Sequence, residues 1–116
     1  MKLCFQYMER DKVTADVAVD FDAKTVAYKT YATDIFALPF GVIMQPTMAD
    51  VYRFFESRCF PKERRNCKQI LEDIGLEEYV PLDIVRKTHG RQYEDYCWIR
   101  FEGEDLDYER DIKLRD

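Results

Sequence analysis

Hydrophobic and polar positions alternate along the first third of the chain, as they do in half-buried strands. Leu3, Phe5 and Tyr7 alternate with less apolar residues, and residues 13–19 repeat the alternation after a polar turn. A third β-rich run covers residues 25–31. Because the turns between these runs are short, the pattern predicts an antiparallel meander with one packed face and one exposed face.

The connection that follows the meander, residues 32–46, is unusually apolar. Pro39, Gly41 and Pro46 interrupt regular structure there. Its large apolar side chains are Ile35, Phe36, Leu38, Phe40, Val42 and Ile43. Two interpretations stay open: the segment packs over the core, or it offers a contact surface to a partner.

Helical periodicity begins at Thr47, which suits an N-cap, with Asp50 near the positive end of the helix. This helix is expected to end near Cys59. Pro61 is then expected at the first position of a second helix, which Gly75 ends. The apolar positions of the second helix are Cys67, Ile70, Leu71 and Ile74.

The last third predicts one more helix and then strands. Pro81 begins a short helix that Gly90 closes, residues 96–101 alternate as a strand, and a weak final strand lies around Ile112 and Leu114. The predicted fold class is therefore α+β. An antiparallel sheet combines the N-terminal meander with C-terminal strands, and about three helices pack on one face, in a single domain over residues 1–116.

Charge is distributed unevenly along a chain whose composition suits a packed core. The 116 residues are 47% hydrophobic and 15% aromatic, with a formal net charge of −5. Residues 53–68 hold six basic and two acidic side chains, a local charge of +4, and residues 86–91 hold three further basic ones. Residues 102–116 hold seven acidic and three basic side chains, a local charge of −4. A two-signed binding face and an ordinary solvated surface both fit this pattern.

Catalytic and metal-binding patterns are weak. There are four cysteines without a CxxC pair and a single histidine, His89, so neither a zinc site nor another cofactor is expected. His89 fits the C-terminal end of a helix, and no nucleophile–base motif accompanies it. The candidate nucleophiles are Cys59, Cys67 and Cys97. The suggestive carboxylates are Glu94, Asp95 and Glu102. We expect no catalytic residue and no metal ligand.

The location expected for the protein is the cytoplasm of a bacterial host. The chain enters a strand-like run at once, without the pattern of a signal peptide, and no apolar stretch approaches the length of a membrane span. A reducing compartment predicts four free thiols.

A distinctive pattern of motifs spreads over residues 52–103. It comprises FESRCFP at residues 55–61, Arg65, residues 71–76 with Gly75, Tyr79 with Pro81 and Leu82, KTHGR at residues 87–91, and EDYCWIRF at residues 94–101. This pattern resembles small proteins and domains from mobile elements of Gram-positive bacteria, some of them beside or within HipA-type kinase systems. It is also similar to some small anti-CRISPR proteins that inhibit type II-A Cas9. The chain departs from the family at Val80, where an aspartate is usual.

The resemblance implies an anti-CRISPR protein that binds Cas9, its guide RNA or both without catalysis, and so blocks assembly or DNA capture. Alternatives are an accessory or antitoxin-like module of a HipA-type kinase system and a metal-dependent nuclease that cuts guide RNA with Glu94, Asp95 or His89. No membrane or small-molecule partner is expected. The binding residues predicted in the basic middle are Arg58, Lys62, Arg64, Arg65, Lys68 and Arg91. Those predicted in the acidic tail are Glu104, Asp105 and Asp107.

Two further expectations concern the framework. Arg58 and Arg91 are placed to pair with Asp95 or Glu94 and to hold the helices against the C-terminal strand. Trp98 is the largest single anchor of the chain, for the core or for a partner.

Overall fold

The computed structural model describes residues 1–114 and has the predicted meander. Strands β1 (Lys2–Glu9), β2 (Lys12–Asp20) and β3 (Thr25–Thr30) are joined by tight turns, and β4 (Cys97–Phe101) returns to the sheet late in the chain. All neighbouring strands are antiparallel, in the order β3-β2-β1-β4. The predicted α+β class is confirmed.

The helices lie between β3 and β4 in the chain. They are a 3₁₀-helix (Ile35–Ala37), α1 (Met48–Ser57), α2 (Cys67–Asp73) and α3 (Pro81–Thr88), and a single π-helical turn follows β4 at Tyr108–Ile112. Among the helices of residues 1–114, none is both long and apolar enough to cross a membrane.

The strand predicted around Ile112 and Leu114 is wrong. The carboxylate of Asp107 accepts hydrogen bonds from the backbone N–H groups of Glu109 and Arg110, and this cap starts a helical turn. Ile112 is buried in this turn against a small core. Local capping therefore outweighs the weak β propensity of the segment.

Helix α1 begins as predicted and covers the centre of the sheet. Thr47 Oγ1 accepts from the N–H of Asp50, and the Asp50 carboxylate accepts from the N–H of Thr47 at 2.8 Å, a complete capping box. Phe54 and Phe55 on the inner face of α1 lie 6.0 and 5.5 Å from the ring of Phe5 on β1, centroid to centroid. This aromatic cluster forms the main core.

Helix α3 ends at two residues with left-handed backbone. His89 has φ 59° and Gly90 has φ 62°. A Cβ atom on Gly90 would lie 3.1 Å from both Arg58 Cβ and Ile99 Cδ1, so α1, α3 and β4 meet where only a glycine fits. Helix α2 is more peripheral: Leu71 is its buried residue, and it belongs to neither core cluster.

A second, smaller core lies on the opposite face of the sheet. Trp98 is fully buried there, packed with Met8, Tyr108 and Ile112. The indole Nε1 donates to the backbone oxygen of Arg10 at 2.7 Å, which satisfies the one polar atom of the ring. Trp98 is therefore a core residue.

Candidate functional site: an exposed basic loop

Arg58, one of the predicted binding residues, is buried inside the molecule. The side chain is 7% exposed and bridges α1 to the segment before β4. Its guanidinium donates to both carboxylate oxygens of Asp95 at 2.8 and 2.9 Å, to Gly90 O at 2.8 Å and to Cys97 O at 2.9 Å. With its donors engaged inside the molecule, Arg58 belongs to the framework, and the predicted pairing with Asp95 is confirmed.

Ionisation of Asp95 depends on this contact. Burial opposes the charged form, but hydrogen bonds and charge from Arg58 outweigh it, and the N–H of Cys97 adds a further bond. The pKa of Asp95 therefore lies below its usual value. The pair stays charged at neutral pH and fixes the start of β4.

Four further basic residues form an exposed group, which we call the basic loop: three lie in the turns before α2, and Lys68 lies in the first turn of α2. It consists of Lys62, Arg64, Arg65 and Lys68, all of them exposed. Within residues 1–114 none of these four side chains makes an ion pair or a hydrogen bond, so their charges face solvent. Pro61 was predicted to begin the second helix, but α2 begins at Cys67. Residues 61–66 form turns instead, with the N–H of Arg64 donating to Pro61 O at 3.1 Å.

Contacts at both of its ends hold the basic loop in place. The hydroxyl of Tyr79 donates to Phe60 O, and the two rings make an edge-to-face contact at 5.5 Å. The N–H of Cys67 donates to Arg64 O at 3.0 Å, which leads the loop into α2. A loop fixed at both ends presents its charges with less loss of conformational entropy on binding.

Arg91 has a different position from the basic loop. Its guanidinium approaches the backbone oxygens of Asp111 and Ile112 at 3.4 Å each. Arg91 thus contacts the end of the π-helical turn and helps to place the C-terminal segment. It does not pair with Glu94 or Asp95.

Two of the three residues predicted in the acidic tail, Glu104 and Asp107, have structural roles. Glu104 accepts from the N–H of Phe101 at 2.8 Å and lies 2.9 Å from His89 Nε2, while Asp107 caps the π-helical turn. Of the three predicted tail residues, only the Asp105 side chain makes no hydrogen bond within residues 1–114. The two others are structural, because their carboxylates hold backbone groups.

The residues proposed for chemistry are dispersed. Asp95 is engaged with Arg58, Glu94 is exposed, and His89 ends α3 and pairs with Glu104. Among residues 1–114, no group of three or more His, Cys, Asp or Glu side chains is arranged to hold a metal ion. The structural role predicted for His89 at a helix end is confirmed.

The four cysteines are free. Burial raises the pKa of the Cys59 thiol to about 12, and burial also raises the pKa of Cys97, which is 4% exposed. Both groups stay protonated at neutral pH, and this disfavours them as nucleophiles.

Sequence reasoning missed a depression of about 580 Å³ on the exposed face of the sheet. Three side chains on β4, β1 and β2 form a hydrogen-bonded row across it: Arg100 Nε donates to Gln6 Oε1 at 3.0 Å, and Gln6 Nε2 donates to Asp16 Oδ1 at 2.9 Å. The small side chains beside the row are Cys4, Ala18 and Ala27. The sequence shows the alternation along each strand, but it does not show the register between the strands.

The apolar connection, residues 32–46, packs over the core with some of its side chains and exposes others. Ala37, Leu38 and Phe40 are buried and attach the segment to the core. Other side chains of the same segment, which we call the apolar loop, face solvent: Ile35, Phe36, Val42, Ile43 and Met44. The segment therefore packs and also exposes a hydrophobic surface.

Comparison of the chain with protein-family models, with curated proteins and with solved structures finds no match. The resemblance of residues 52–103 therefore stays a prediction.

Proposed function

We propose that this protein inhibits a type II-A Cas9 by binding without catalysis, and that the basic loop is its contact surface. The observation that carries the proposal is the group of four unpaired basic side chains within residues 62–68. The loop lies inside the region of the resemblance. Its target is the guide RNA or an acidic surface of Cas9.

The physical basis is electrostatic. Lysine and arginine bind phosphate oxygens and release counterions, which gives affinity that falls steeply with salt. Arginine also stacks on exposed bases, and Arg64 and Arg65 have no internal partner within residues 1–114 that competes for such contacts. A neutral or acidic loop would offer neither interaction.

The basic loop is a better candidate than the acidic tail. The carboxylates of Glu104 and Asp107 already hold backbone N–H groups, so part of their acceptor capacity is used inside the molecule. The side chains of the basic loop have no such internal partner within residues 1–114. We therefore expect charge reversal in the loop to affect inhibition more than charge reversal at Asp105.

The test is DNA cleavage by Cas9 in the presence of the protein. The variant reverses the four charges of the basic loop to glutamate. A matched control reverses four exposed lysines elsewhere, Lys2, Lys12, Lys24 and Lys87, which changes the net charge equally. We expect the wild type and the control to inhibit cleavage and the loop variant to lose inhibition while remaining folded. Full inhibition by a folded loop variant would exclude the loop as the contact surface.

A pull-down with and without guide RNA separates the two targets. Capture of Cas9 only when guide RNA is present indicates the RNA or the assembled complex, and equal capture in both conditions indicates a protein surface. No binding and no inhibition in either condition would reject the Cas9 proposal itself.

Non-catalytic inhibition also requires guide RNA to remain intact. We expect no cleavage of guide RNA after incubation with the protein and magnesium. Cleavage that disappears in a folded Glu94→Ala variant or a folded Asp95→Asn variant would support the nuclease alternative instead.

A further inference from the structure

The two edges of the sheet differ in how their backbone groups are satisfied. Strand β4 forms one edge, and its outward N–H groups all donate within the chain. These bonds run from Cys97 to Asp95 Oδ1 at 3.0 Å, from Ile99 to His89 O at 2.7 Å, and from Phe101 to Glu104 Oε1 at 2.8 Å. This edge is closed to another strand.

Strand β3 forms the other edge, which is open. The N–H of Tyr31 donates to Thr14 O on β2, and the alternation of antiparallel pairs then directs Thr25, Ala27 and Lys29 toward β2. The N–H and C=O groups that point outward belong to Val26, Tyr28 and Thr30. Within residues 1–114, none of these outward groups has a hydrogen-bond partner. An open edge of this kind is a template for a further strand.

We propose that β3 pairs with β3 of a second copy of this chain, antiparallel, about a two-fold axis at Tyr28. In this register Tyr28 lies opposite Tyr28 of the second copy, and Val26 lies opposite Thr30. The pairing joins two four-stranded sheets edge to edge. β-Branched and aromatic residues opposite one another are favourable cross-strand pairs.

The charges of β3 permit this self-pairing. Lys29 is the charged residue of the strand, and the register places it opposite Ala27 of the second copy. No like charges therefore lie directly opposite each other, which is the arrangement that would oppose pairing. Because each copy contributes the same strand in the same register, the contact is isologous.

The apolar loop belongs to a segment that packs on β3. The ring of Phe40 packs edge-to-face on Tyr28 at 5.0 Å, so this segment runs beside β3 on the helix side of the sheet. Pairing about a two-fold axis perpendicular to the sheet puts the helices of both copies on one side, and the two apolar loops then meet across the seam.

The composition of the apolar loop fits a protein partner. Phe36 is 88% exposed and Val42 is 73% exposed, and no charged residue lies between Asp34 and Asp50. Nucleic acid and anionic lipid both require basic residues that this segment lacks. The exposed side chains of the loop present on the order of 500 Å². Strand pairing adds area toward the roughly 800 Å² per partner of a stable interface.

Sedimentation of the full chain at several concentrations tests the proposal. We expect the wild type to approach twice its chain mass of 13.9 kDa as concentration rises. Ala27 is exposed, so we expect its substitution to leave the monomer folded. Ala27→Glu places a carboxylate opposite Lys29 of the second copy and should tighten the dimer. Ala27→Lys places like charges opposite each other and should weaken it, each by roughly five-fold or more in the dissociation constant.

Three outcomes would overturn the proposal. One is a wild type and Ala27→Glu that both stay monomeric at the highest soluble concentration. Another is a dimer whose dissociation constant is the same in Ala27→Glu and Ala27→Lys, since the interface would then lie elsewhere. The third comes from amide hydrogen exchange. We expect exchange at Val26, Tyr28 and Thr30 to slow as concentration rises, and exchange that is independent of concentration there excludes β3 pairing.

Discussion

Arg58 and Asp95, separated by 37 positions in the chain, form a two-point ion pair in which both terminal guanidinium nitrogens donate to the carboxylate. The same guanidinium also holds Gly90 O and Cys97 O. One side chain thus joins α1, the end of α3 and the start of β4. It therefore helps to hold the start of β4 against the helices, in addition to the pairing of β4 with β1.

Arg58→Lys is expected to destabilise the fold by about 2–4 kcal/mol, because a single ammonium cannot replace a planar group that donates in several directions. Urea unfolding measures the change. The matched control is Arg53→Lys, because the Arg53 side chain is exposed although its partner Asp50 is buried, and a change of about 0.5 kcal/mol or less is expected there. Equal effects at the two positions would contradict a framework role for Arg58.

Asp95 gives this fold a component of acid sensitivity. The pKa of its carboxyl lies below the ordinary value of 3.8 in the folded chain. Its contribution to stability is therefore present above the unfolded pKa and is lost as pH falls through the folded pKa. We expect the wild type to be more stable than Asp95→Asn at neutral pH, and the difference to shrink below about pH 4. A difference that does not change with pH would show that the carboxylate charge is not the cause.

Gly90→Ala should cost about 2 kcal/mol or more, because a Cβ atom adds both left-handed backbone strain and contacts with Arg58 and Ile99. Gly41→Ala is the control. Gly41 has a similar φ of 57° and nothing within 4 Å of the added atom. The difference between the losses of unfolding free energy at Gly90 and Gly41 measures the crowding of the added Cβ atom at Gly90. Thermal unfolding should show the Gly90 variant to be the less stable of the two. Equal costs would mean that backbone strain alone accounts for both.

Leu71→Ala tests how much the packing of α2 contributes to the stability of the fold. Leu71 is 5% exposed, so its truncation should cost about 2 kcal/mol, near the low end for a buried leucine because α2 lies outside both core clusters. Ile70→Ala, at a half-buried position of the same helix, should cost less. A Leu71 variant with unchanged denaturation would make this helix face a candidate partner surface.

The thiols should differ in reactivity. We expect all four cysteines to react with a thiol reagent in the unfolded protein. In the folded protein Cys59 and Cys97 should react last, because burial raises the pKa of both thiols. Mass spectrometry of partially modified protein identifies the order. Rapid modification of Cys97 without unfolding would contradict its burial.

The sequence by itself determined the elements whose signals are local. Alternation over a few residues specified the meander, and the capping pair at Thr47 and Asp50 specified where α1 begins. Gly75 and Gly90 marked the ends of α2 and α3. These signals need only neighbours in the chain, so no tertiary contact was required to interpret them.

Only the tertiary structure decided which charged and apolar residues are available to a partner. Arg58 resembles its exposed basic neighbours in sequence, and burial against Asp95 separates it from them. Phe36 and Phe40 are equally apolar members of one segment, yet one faces solvent and the other enters the core. Exposure depends on contacts between residues far apart in the chain. The sequence suggested that Arg58 could pair with Asp95 or Glu94, but it did not show that this pairing buries Arg58.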